Sequence, residues 1–235
     1  MSSTSLPKTK YAAENYFFIP AVNADTQRSP CPALNALANH GYIPRNGTEI
    51  PFSQLLHAVK AVYNLSLPLA LLLTVVGYAT CGTFSLHTMS WTLTLADLSA
   101  RGWNKIAHDA SLVHPSGIPS HAPDPALLAN LLGAADAGMT LKGLAAVHAA
   151  RERDLARPLD GLHGQIAFGE CALTWLVLRN PTTGVVERDA LAQWFGEERL
   201  PTGWWEEPRP RTPVGLRQAR KTAGQVQEFV NYESS

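Results

Sequence analysis

Cysteine is scarce, with only Cys31, Cys81 and Cys171 in 235 residues. An odd number spread through a long chain is not the paired framework of a small disulfide-built domain. No CxxCH, paired CxxC, P-loop or HExxH pattern occurs. Covalent c-type haem, a structural zinc site of the usual spacing and nucleotide hydrolysis therefore lose their simplest support. Charge of one sign is lacking too, because Lys+Arg 19 balances Asp+Glu 19. Nucleic acid and anionic membrane surfaces attract clustered positive charge, so neither is implied as a partner. The strongest apolar run, residues 65–79, is about fifteen residues long and holds Pro68 and Gly77, whereas a bilayer span needs about twenty. It reads as a helix buried in the core, and no membrane span is expected. The opening MSSTSLPKTKYAAENYFF is polar and without the apolar run of a secretory signal, so an intracellular location is the expectation. Strand signals are weak throughout.

What is present is enough apolar material, 46% of the residues, for one sizeable core, since a chain this long buries about three quarters of its unfolded surface. Helical spacing recurs along the chain. PALNALAN (32–39) is followed by the stop His40-Gly41 and the turn Pro44-Arg45-Asn46-Gly47. In FSQLLHAVKAVYN, the residues Phe52, Leu55, Leu56, Val59 and Val62 recur at threes and fours. Asp124-Pro125 is a cap and first-turn proline for ALLANLLGAA. Further helices are predicted over 140–154, from about 164 to 178, over 188–195 and near 214–229. Residues 103–120 and 201–213 read as irregular. The expectation is an all-α protein, a single compact helical domain with little or no strand. An N-terminal arm (1–28) precedes the main domain (29–205), and a C-terminal extension (206–235) packs on it.

The most informative segment is Pro30-Cys31-Pro32. Cys31 stands at an N-cap position, Pro32 sits where a missing N–H costs nothing, and the unpaired amides of the first turn point back at the sulfur. That arrangement favours a thiolate, which suits haem iron when no second cysteine is near. Taken alone, the tripeptide reads more simply as a small buried residue at a helix start. Three further segments alter that reading. PCPALNALANHGYIPRNG, LTLADLSARGWNKIAHDASLVH, LDGLHGQIAFGECALTW and ALAQWFGEERLPTGWW resemble, in order and spacing, four segments of the fungal haem-thiolate peroxidases, the group of chloroperoxidase and the unspecific peroxygenases. The resemblance spans about residues 30 to 205 and is closest to the short-chain type.

The resemblance implies a helical domain enclosing haem b, with Cys31 as axial ligand to the iron and Pro32 and Ala33 beside it. It implies that Glu170 is the distal acid–base group, taking a proton from iron-bound hydrogen peroxide and returning it to the outer oxygen. Water then leaves and a ferryl-oxo porphyrin radical remains. His108 would orient Glu170, and His163, two helical turns before Glu170, ranks second for that part. Asp109 and Ser111 match residues that help hold a magnesium ion beside a haem propionate. Ala107 stands where that pattern has a glutamate, and losing one carboxylate weakens an octahedral oxygen site. Hydrogen peroxide and a small apolar organic substrate are the expected partners.

Three readings follow. The first is a peroxidase or peroxygenase, in an intracellular specialised metabolism. The second is a degenerate member that binds haem or a hydrophobic ligand without turnover, and the third a helical interaction protein. His40 reads as a helix-end packing residue. Phe84, Trp91, Trp103, Phe168 and Trp175 suit ordinary core packing and would also suit an apolar channel. Trp204, Trp205 and Pro208 are expected to cover the core from outside.

Overall fold

The computed structural model describes residues 16–22, 25–86, 89–206 and 212–233; Pro208 lies outside them. The described residues are mostly helical and share one hydrophobic core. Helix α1 (Pro32–His40) starts at the extended Cys31 and ends at the left-handed Gly41 (φ 79°), whose N–H returns to Ala38 and Leu37. The turn behind it needs Gly47 (φ 72°), where a Cβ would come within 2.1 Å of the Gln27 carbonyl oxygen. Strand β1 (Ile50–Pro51) leads into α2 (Phe52–Val62), which ends before the left-handed Asn64 (φ 50°).

Helix α3 (Leu67–Cys81) corrects the sequence reading. It buries Leu69, Ala70, Thr74, Gly77, Tyr78 and Cys81, but leaves Leu67, Leu71, Leu72, Leu73, Val75 and Val76 between 39% and 52% exposed. Composition fixes that a helix is apolar. Which of its sides meet protein depends on neighbours, and α3 has them chiefly on the side of α2 and of the strand Ser90–Leu93. Strands β2 (Thr83–Ser85) and β3 (Ser90–Leu93) pair antiparallel, with Phe84 opposite Trp91, and β3 also pairs with β1, Ile50 opposite Leu93. This small sheet, in the order β1-β3-β2, is the minor strand content. Its Phe84 and Trp91 meet edge to face while both remain about half exposed, and Trp103 is 86% exposed. Phe168 is buried and Trp175 half-buried. The five aromatics therefore do not form one core set.

The second half of the fold stacks α5 (Leu141–Arg153), α6 (Gly161–Leu178) and α8 (Leu216–Glu233) against one another, while α4 (Pro125–Gly133) and α7 (Arg188–Leu191) meet the turn Ala192–Gly196. Each of the first two begins where a side chain caps the free amides, Thr140 on Gly143 for α5 and Asp160 on Leu162 and His163 for α6. The cap extends α6 three residues upstream of the predicted start, against the low helix propensity of Gly161 and Gly164. Helix α8 buries Ala219, Thr222, Val226 and Val230 against α5 and α6. Trp204 is buried and its indole N–H donates to the Val62 carbonyl at 3.2 Å, whereas Trp205 stays 36% exposed. Among the described residues no helix is long and apolar enough to cross a membrane.

Candidate active site

The Cys31 loop is held from beneath by a buried polar network. Asn35, one turn into α1, accepts from the Ser29 N–H at 2.9 Å and the Ser29 hydroxyl at 3.1 Å. Its amide donates to the Ser29 carbonyl at 2.7 Å and to Glu198 Oε1 at 2.6 Å. Asn39, one turn further, donates to the Glu198 carbonyl at 3.0 Å and accepts from the Arg28 guanidinium. Glu198 follows a π-helical turn (Ala192–Gly196) and sits in the left-handed region at φ 53°, a costly conformation for a non-glycine residue that these bonds offset. Burial pushes its carboxyl up to about 7, with the Asn35 hydrogen bond and the Arg28 charge acting the other way.

The side chain of Cys31 makes no capping hydrogen bond within α1. Its thiol is pushed up to about 11, chiefly by burial; the Leu34 and Ala33 amides favour the thiolate, while the charges of Glu170 and Glu198 oppose it. The dipole acts in the expected sense, but taking the sulfur out of water outweighs it in the protein without a cation at the sulfur. Pro32 and Ala33 form the first turn beside the sulfur, Pro32 buried and Ala33 half-buried, and the Ala33 carbonyl accepts from the Tyr63 hydroxyl.

Glu170 projects from the middle of α6, its side chain 21% exposed. Its pKa is raised by burial, against the opposing pull of His108 and of a Ser111 hydrogen bond. His108 Nε2 lies 3.7 Å from Glu170 Oε2, and Ser111 Oγ lies 3.4 Å from Oε1. His108 Nδ1 is 2.7 Å from the Asp109 carbonyl. A carbonyl only accepts, so Nδ1 carries the proton and Nε2 faces the carboxylate. The sequence-nominated Glu170, His108 and Ser111 thus meet, and the charge of Glu170 is felt at Cys31. His163 does not join them. Its Nδ1 pairs with Asp160 Oδ2 at 2.6 Å and its Nε2 is 3.2 Å from the Lys105 carbonyl, so it pins the start of α6. His40 takes the Leu200 N–H on Nε2 and has Nδ1 against the Tyr16 carbonyl, a packing role as expected.

Asp109 is engaged elsewhere. Its Oδ1 accepts from Arg101 Nη1 at 2.5 Å and from the Gly117 N–H at 2.6 Å. Burial would raise its pKa, yet these partners prevail and the net direction is down. Among the described residues, no three His, Cys, Asp or Glu side chains converge as a metal ion would require.

Several structural partners escape a reading of the sequence. Left-handed Ala110 (φ 58°) donates its N–H to Ser116 and takes His148 Nδ1 on its carbonyl. Arg151, from the same helix α5, donates to the carbonyls of Ser111 and His114. The signal for the network under Cys31 was present, since two asparagines four residues apart interrupt an Ala/Leu helix. The roles of Arg101, His148 and Arg151 had no local signal. One surface concavity of about 560 Å³ runs along Arg217, Arg220 and Lys221 of α8, and another of about 290 Å³, between Val22 and Arg45, borders Arg28.

These features define a compact helical protein with a half-buried thiol at a helix start and, near enough for its charge to be felt there, a carboxylate partnered by histidine and serine. The model of the family "Peroxidase, family 2" matches residues 15–209, and the chain belongs to that family, whose cofactor is haem. A 62-residue segment is 48% identical to the dothistromin biosynthesis peroxidase dotB of Dothistroma septosporum, covering 26% of this chain and 15% of that protein. Over 37 residues the chain is 54% identical to an aromatic peroxygenase of Cyclocybe aegerita, covering 16% of this chain and 10% of the relative. Over 23 residues it is 78% identical to the chloroperoxidase of Leptoxyphium fumago, covering 10% and 6%. The matched segments thus span a small part of the curated relatives.

Proposed function

We propose that this protein is a haem-thiolate peroxidase or peroxygenase that uses hydrogen peroxide to oxidise or oxygenate a small apolar organic substrate, with Cys31 as axial ligand of haem b. The observation that carries this reading is a half-buried thiol at a helix start that feels the charge of a half-buried carboxylate, the latter held between His108 and Ser111. The donor set suits the group. A single thiol that makes no capping bond is available to iron, and a metal cation removes the cost of burying its anionic form. Similarity to a dothistromin biosynthesis peroxidase and to aromatic peroxygenases supports an aromatic substrate in fungal secondary metabolism.

When bound, haem iron supplies the redox chemistry of O–O cleavage, to which a thiolate contributes electron density. Cys31 holds the group, and the Leu34 and Ala33 amides moderate the charge on its sulfur. With haem bound, Glu170 would be the group that takes a proton from hydrogen peroxide and returns it to the departing oxygen, the iron supplying the redox change. Its raised pKa brings proton gain and loss closer to neutral pH. His108, its Nδ1–H held by the Asp109 carbonyl, turns the lone pair of Nε2 toward Oε2, where it accepts from Glu170 while that carboxyl carries the proton. Ser111 steadies the other oxygen.

The optical spectrum of the reduced, carbon-monoxide-bound protein tests the central bond. The wild type is expected to show the strongly red-shifted Soret band of thiolate ligation, and Cys31→Ala to lose it. A band that persists unchanged in Cys31→Ala overturns the assignment.

A further inference from the structure

The guanidinium of Arg101 is under-used. It has five N–H groups, of which one is bonded to Asp109 and one reaches the His108 carbonyl only at 3.5 Å. Its Nε is buried with no acceptor, and the side chain is 25% exposed. A buried donor without a partner calls for one; among the described residues the Nε of Arg179 and of Arg199 share that state, and Arg101 differs from them by its neighbours. Arg101 also stands beside the carboxylate–histidine pair, because Asp109 and His108 are its two partners. The acceptor that matches a cationic fork with spare donors is an anionic oxygen pair, above all a carboxylate.

The same contacts argue against a divalent cation here. One oxygen of Asp109 is already engaged by Arg101 and Gly117, Ser111 Oγ points to Glu170, and Ala107 has no oxygen to give in its side chain. A second cation would lie next to a guanidinium cation and be repelled by it. Haem carries two propionate carboxylates, which need a positive partner when they leave water.

Resting on the haem reading above, we propose that Arg101 supplies the cation that grips a haem propionate, in place of a divalent metal. Asp109, itself fixed by the Gly117 N–H, holds the guanidinium in position. The chain thus exchanges a metal-mediated contact for a direct one, and haem loading becomes independent of magnesium.

The test is a titration of full-length apoprotein with haem, followed by Soret absorbance. It uses the wild type, Arg101→Gln and Arg101→Lys, in EDTA and in millimolar Mg²⁺, with haem and with its propionate dimethyl ester. Wild type is expected to bind haem equally in EDTA and Mg²⁺, with no stoichiometric divalent metal by elemental analysis. Arg101→Gln is expected to weaken haem binding about tenfold. Arg101→Lys keeps the charge and recovers part of the loss. With the diester, wild type and Arg101→Gln should converge, a result that a merely misfolded variant cannot give. Equal haem affinity in wild type and Arg101→Gln overturns the proposal, as does an undiminished loss with the diester. A bound metal whose removal by EDTA lowers affinity does so as well. A wild type that binds no haem overturns the haem reading itself, which distinguishes the two failures.

Discussion

Around Cys31 every polar atom of the supporting asparagine is used. Asn35 makes four hydrogen bonds between 2.6 and 3.1 Å, and Asn39 joins Arg28 to the backbone of Glu198. Around Glu170 the contacts are longer, 3.4 Å to Ser111 and 3.7 Å to His108, and Arg101 keeps a donor without an acceptor. Both sides contain a left-handed non-glycine residue, Glu198 and Ala110. The first is held by short bonds within a closed network, the second by single bonds of 3.1 Å from Ser116 and His148. The difference teaches that a ligand-bearing loop and a proton-handling group have different needs. The sulfur must keep one direction, whereas the carboxylate must gain and lose a proton, which requires partners that do not bind one form too strongly.

The contrast can be broken first at Glu170. Glu170→Gln keeps shape and removes the proton site, and is expected to lower peroxide turnover by about a hundred- to ten-thousand-fold with haem still bound. Steady-state kinetics on the haem-loaded variant check this, and equal trace activity in both proteins would favour the binding-only reading. Asn35→Ala strikes the other side. It leaves Ser29 and Glu198 without their partners, and is expected to cost about 3 kcal/mol in urea unfolding. A loss as small as that of an ordinary surface substitution would sink the claim that this side is the tighter one.

Glu198→Gln sharpens the comparison through pH. At acid pH both folded and unfolded chains carry the proton, so the raised carboxyl costs nothing. As pH climbs from the ordinary 4.5 to about 7, the unfolded chain releases its proton first. Stability from this group therefore falls with rising pH and is lost by the time the folded carboxyl ionises. His114, held neutral by burial and pushed down to about 4, acts with the opposite sign, as it does equally in the variant. The expected result is a difference in melting temperature, wild type minus Glu198→Gln, that declines between these pH values; a flat difference would contradict it. The smallest effect belongs to His163→Ala. It removes contacts at the start of α6, and should cost under about 1 kcal/mol in unfolding and leave turnover within about twofold.

Much of the helical order was legible, because capping residues and apolar spacing act locally. The starts of α1 and α4 follow from Cys31-Pro32 and Asp124-Pro125. The start of α6 was misread because two glycines hid the Asp160 cap. Helix α3 was recognised as a helix but assigned to the interior, since apolarity says what a face can bury and not what arrives to cover it. Glu170 and His108 could be nominated from sequence, whereas their 3.7 Å approach depends on α6 meeting the loop that follows Arg101. The rejection of His163 likewise rests on where its ring nitrogens find partners.

By itself the sequence determined the kind of protein: a helical chain of balanced charge, one cysteine between prolines at a helix start, and a glutamate in an apolar helix. Tertiary structure decided which charges meet. Arg101 is on Asp109, Glu198 is beneath the Cys31 loop, and α5 stands behind Ala110 and Ser111. Caps and periodicity are short-range and can be read along the chain. Desolvation and ion pairing arise only when segments as far apart as residues 35 and 198 are brought together, and those interactions set the protonation of the groups that would do the chemistry.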